Sequence, residues 1–95
     1  METLETYVRH KVVLDLNSPY VCLGKLVGID PHHYVLEDAD LHDLRDSPTT
    51  RENYIVAAKL SGIKANRKHI LVRSEEVVAI SLFKDVIIKD DEEEE

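Results

Sequence analysis

Tryptophan is absent from this 95-residue chain, and phenylalanine, methionine and cysteine occur once each. A single cysteine, Cys22, excludes an intramolecular disulfide framework and a Cys-rich zinc module. It also sets the expectation of a reducing, cytoplasmic setting. No apolar run approaches the roughly 20 residues that span a bilayer, so no transmembrane helix is expected. The first residues, Met1-Glu2-Thr3-Leu4-Glu5, carry no basic region followed by an apolar one, so no secretory signal is expected. No phosphate-binding Walker loop, dinucleotide fingerprint or His-Glu-x-x-His pair occurs, and no serine stands in a nucleophile elbow. Cys22 lies in the apolar run Val21-Cys22-Leu23, where a thiol behaves as a small hydrophobe. An enzyme is therefore not expected. An excess of positive charge is missing too. The formal net charge is -7. Six consecutive acids, Asp90 to Glu95, account for most of it and leave 13 acids against 12 bases in the rest. The expected division is one domain over 1–89 and a self-repelling, disordered acidic tail over 90–95.

What is present is a run of short alternating segments. Leu4, Tyr7 and Val8 have helical spacing, with Thr3 placed to cap them. Lys11 to Leu16 alternates, with Val12, Leu14 and Leu16 on one face and Val13 and Asp15 on the other. Asn17-Ser18-Pro19 reads as a turn. A second strand, Tyr20 to Ile29, is interrupted by Gly24 and Gly28, which mark bends or bulges. Asp30-Pro31 turns the chain into a third strand that runs from about Tyr34 toward Leu41. Thr49-Thr50-Arg51-Glu52 has capping-box spacing, with Thr49 set to accept from the amide of Glu52. A helix is expected over 50–61, ended by Gly62 in a left-handed conformation. Strands over 69–73 and 77–83 follow, joined by the tight turn Ser74-Glu75-Glu76. The last strand is apolar on both faces, a pattern that needs cover on both sides. Five short strands with glycine bends predict a small closed or half-closed barrel.

Two segments resemble the motifs of the Sm-like (LSm) family. Over 12–39, Gly24-Lys25-Leu26, Asp30, Val35-Leu36 and Asp38-Ala39 are similar to its first motif. Over 70–80, Ile70-Leu71-Val72-Arg73-Ser74-Glu75 and Val77-Val78-Ala79-Ile80 are similar to its second. The turn after Asp30 is one residue shorter than the family's. His33 stands where the family has Asn, and Ser74 where it has Gly. The resemblance implies an all-β, five-stranded, strongly bent Sm-like (SH3-like) barrel with an N-terminal helix. The chain adds a helix before the fourth strand. It also implies closed rings of six or seven copies, with the fourth strand of one subunit pairing with the fifth of the next.

In the family, the turn after the second strand and the turn after the fourth meet, and a base stacks between them. That implies an RNA-binding set of His32, His33, Tyr34 and Arg73. A planar guanidinium stacks on a base and still donates hydrogen bonds, and an imidazole also stacks. Lys64, Arg67, Lys68 and His69 form the local basic cluster, which attracts phosphates and which a ring would repeat. They equally read as a solvated loop, or as a dock for the acidic tail. Asp38, Asp40 and His42 would share one face if the third strand ran on at period two. That spacing fits no specific metal motif, and pairing of the acids with Arg45 and Arg51 is the plainer reading. No cofactor, metal, membrane or small-molecule substrate is expected. The expected function is a non-catalytic, homo-oligomeric ring that binds single-stranded, U-rich RNA. The alternative is an oligomeric scaffold or protein-interaction module of the same fold without RNA binding.

Overall fold

The computed structural model describes residues 3–88. The acidic run 90–95, and with it the expected boundary at 89/90, lies outside the described residues. Five strands, β1 (Lys11–Leu16), β2 (Tyr20–Ile29), β3 (His33–Asp43), β4 (Arg67–Arg73) and β5 (Val77–Leu82), form one antiparallel sheet in the order β4-β3-β2-β1-β5. One helix, α1 (Arg51–Ser61), is inserted between β3 and β4.

The sheet bends where the glycines stand. The β2–β3 register shifts between Leu23 and Lys25, and again between Leu26 and Gly28. A Cβ on Gly24 would lie 2.8 Å from the Ala39 Cβ and 2.9 Å from its Cα, so only glycine admits so close an approach of β3. Opposite, Asp38 takes the extra residue of the bulge with φ 49°, a left-handed conformation that Asp tolerates better than most residues. These bends curl two long strands so that one sheet encloses its own core.

The alternation of β1 reads directly into two cores. Val12, Leu14 and Leu16 face inward with Cys22, Leu26, Leu36 and Leu82. Val13 faces outward with Val21 and Leu23, where Ile55 and Ala58 of α1 cover them. The inserted helix is thus the second layer of the fold. Its last turn also binds the chain beyond β5. Lys59 Nζ donates to the carbonyls of Lys84 (2.7 Å), Val86 (2.9 Å) and Phe83 (3.3 Å), while Phe83 and Val86 pack on the outer core.

Several local expectations change. The N-terminal helix is a single 3-10 turn, Leu4–Tyr7, and Thr3 provides no side-chain cap. The Thr6 hydroxyl instead donates to the Thr3 carbonyl at 2.7 Å. Tyr7 and Val8 still pack against the inner core. The cap of α1 is Thr50, one residue later than expected. Its hydroxyl accepts from the Asn53 amide at 3.1 Å, because Thr50 is the last extended residue before the helix. Gly62 ends α1 as expected, its N–H bonded to the Ala58 carbonyl at 2.7 Å, but with φ 98° and ψ 154° it takes a positive-φ extended conformation rather than the left-handed helical one. β4 begins at Arg67 rather than His69, since Arg67 already pairs with Ala39.

Candidate nucleic-acid interface

Two turns build the site. In the β2–β3 turn, the Asp30 carboxylate accepts from the His32 amide at 2.8 Å and from His33 Nδ1 at 3.1 Å. These bonds, the His32 amide first, hold its carboxyl below the usual carboxylate range. An ionised carboxylate only accepts, so the proton between them sits on His33 Nδ1. In the β4–β5 turn, Arg73 ends β4 and Ser74–Glu76 forms a 3-10 turn. His33 and Arg73 are directly opposite in the β3–β4 register. The Ser74 amide donates to the His32 carbonyl at 2.8 Å, which ties the two turns together. Between them lies a cavity of about 270 Å3 lined by His32, His33, Arg73, Ser74 and Glu75.

Three of the seven expected site residues therefore meet: His32, His33 and Arg73. Tyr34 does not line this cavity. It pairs with Val72 and packs against the inner core, because adjacent strand residues point to opposite faces. Lys64, Arg67 and Lys68 are exposed but lie elsewhere. Arg67 is six residues before Arg73 on β4, about 20 Å away at strand rise. Lys64 lines a separate, small cavity with Asp40 and Tyr54. Glu75 escaped the sequence reading, although its carboxylate pairs with the Arg73 guanidinium. The signal was available, since an acid two residues after an arginine in a tight turn stays within reach of it.

The acid-rich stretch of β3 does not converge on one face, because the Asp38 bulge breaks the period. Asp40, 4% exposed, accepts from the Tyr54 hydroxyl and from Asn66 Nδ2. His42 stacks on Tyr54 with ring centroids 3.9 Å apart. Asp43 pairs with Arg45, whose guanidinium hydrogen bond holds the Asp43 carboxyl down to about 2. Arg51 reaches Asp15 instead, at 3.9 Å. Among the described residues no group of three or more His, Cys, Asp or Glu side chains is placed to hold a metal ion. Burial pushes the Cys22 thiol up to about 12, which keeps it protonated near neutral pH.

Among the described residues, the two end strands, β4 and β5, keep unpaired edges. Each exposes an apolar side chain, Leu71 at 60% and Val78 at 70%. An apolar cleft of about 280 Å3 lined by Leu16, Tyr20, Leu41, Ile70 and Leu71 opens beside β4. Among the described residues, the last strand therefore lacks the cover that its two apolar faces call for.

No protein-family model matches the chain, and no curated protein matches it. Solved structures do. A Pyrococcus abyssii Sm protein in complex with a uridine heptamer superposes with a TM-score of 0.56 at 22% identity, over 82% of this chain and 89% of that one. A heptameric archaeal Sm protein matches at a TM-score of 0.52 and 21% identity, over 83% and 93%. A chain of the NatC complex bound to CoA matches at 0.57 and 15% identity, over 90% and 91%. The chain has the Sm-like fold, with a helix inserted between the third and fourth strands.

Proposed function

We propose that this protein is a non-catalytic, ring-forming module of the cytoplasm that binds single-stranded RNA, with one base held in the cavity between the β2–β3 and β4–β5 turns. One observation carries the reading: His32, His33 and Arg73, distant in sequence, line one cavity. Similar folds include a protein bound to a uridine heptamer and a heptamer, which supports both the ligand class and the assembly. In this reading β4 of one copy pairs with β5 of the next, covering Leu71 and Val78 and removing both open edges. Arg73 stacks on the base, and Lys64, Arg67 and Lys68 act at a distance on the phosphates of the running strand.

Arg73→Ala tests the cavity. Stacking contributes about 1–3 kcal/mol per base, so the variant is expected to bind a U-rich decamer roughly tenfold more weakly with its subunit count unchanged. Unchanged affinity would remove the cavity from the account. A second reading has its own observation. The match to a chain of the NatC complex supports a scaffold within a larger assembly, with the open β4 and β5 edges as its contact surfaces. In that case the protein ignores RNA, and Arg73 serves only its ion pair with Glu75.

A further inference from the structure

The residues that depart from the expected pocket change what it can read. Glu75 brings to the cavity a carboxylate, which only accepts, where an amide would bring one acceptor and one donor. His33, held through Nδ1 by the Asp30 carboxylate, lies on the same cavity. The Glu75 acceptor sits beside the guanidinium it pairs with through Oε2, and each carboxylate oxygen accepts more than one bond.

We infer that this cavity selects guanine over the other bases, with the Glu75 carboxylate reading its Watson–Crick edge; the inference rests on the RNA-binding reading above. The chemistry separates the four bases. Guanine presents two adjacent donors, N1–H and N2–H, which match the two oxygens of one carboxylate as the fork of an arginine does. Uracil offers one N–H between two carbonyls, and each carbonyl would face an acceptor. Adenine and cytosine offer one amine beside a ring-nitrogen lone pair, which a carboxylate repels. Arg73 suits the same base, because its guanidinium stacks on a purine face. His33 completes the set as a planar side chain on the same cavity.

Fluorescence anisotropy on the full chain tests this with three labelled RNA decamers: U10, five UG repeats, and five UI repeats in which inosine lacks the guanine 2-amino group. The UG decamer is expected to bind about tenfold more tightly than U10, with most of that gain lost in the UI decamer. Glu75→Gln, at a side chain 65% exposed, is expected to reduce the UG preference to threefold or less. Equal binding of all three decamers overturns guanine selection and leaves RNA binding standing. A UG preference that survives Glu75→Gln overturns the carboxylate reading. Failure to bind any decamer overturns RNA binding and this inference together.

Discussion

Gly24 shows how much one residue decides here. Its missing side chain lets β3 approach to within van der Waals contact at Ala39, on strands buried on both faces. Neither the Ala39 Cβ nor its backbone can yield cheaply, so Gly24→Ala is expected to cost about 1–3 kcal/mol in urea denaturation. An unchanged midpoint would mean that the bend tolerates a methyl group. Asp15 tests the opposite kind of fit. It faces outward on β1, one of its oxygens is buried without a hydrogen bond, and Arg51 stands 3.9 Å away. Burial raises its carboxyl above the ordinary value, with the Arg51 charge opposing. The folded chain therefore holds this proton to a higher pH than the unfolded chain does. The ionised group lowers stability at neutral pH, and that cost fades as pH falls and the carboxyl protonates. Asp15→Asn is expected to raise Tm at pH 7, with the difference shrinking toward pH 4 as the native carboxyl takes up its proton. A Tm lowered at pH 7 would show that the Arg51 pairing outweighs desolvation.

At the scale of elements, α1 and the segment after β5 form a joint layer on the outer face of the sheet. Lys59 links them by donating to the Phe83, Lys84 and Val86 carbonyls, of which Phe83 also accepts from the Val86 amide. Lys59→Ala is expected to speed hydrogen exchange over residues 83–88 while β1 to β3 keep their protection. Equal exchange in both proteins would show that Phe83 and Val86 hold the segment by packing alone. The elements were largely legible in the sequence because each has a local cause. β1 puts Val12, Leu14 and Leu16 on one face, Gly62 ends α1, and Gly24 and Gly28 fall where the register shifts. What was not legible depends on contacts across the fold. Tyr34 faces the core because β3 starts at His33, and Lys64, Arg67 and Lys68 lie far from Arg73 because β4 starts early and runs straight. Glu75 gained its meaning only when its turn met the β2–β3 turn.

At the scale of the whole molecule, the described residues of one chain leave the sheet open at both ends. The apolar side chains Leu71 and Val78 sit on those two edge strands, and the proposed base-binding cavity sits at the end of β4. Ring closure would bury both edges and bring one cavity per copy toward a shared strand of RNA, so that individually weak sites act together. Native mass spectrometry of the full chain, alone and with a single-stranded RNA decamer, reads subunit count and ligand count in one experiment. The account predicts a closed assembly of six or seven chains that takes up RNA, and an Arg73→Ala protein of the same size that takes up less. A monomer, or an assembly that ignores RNA, would contradict it.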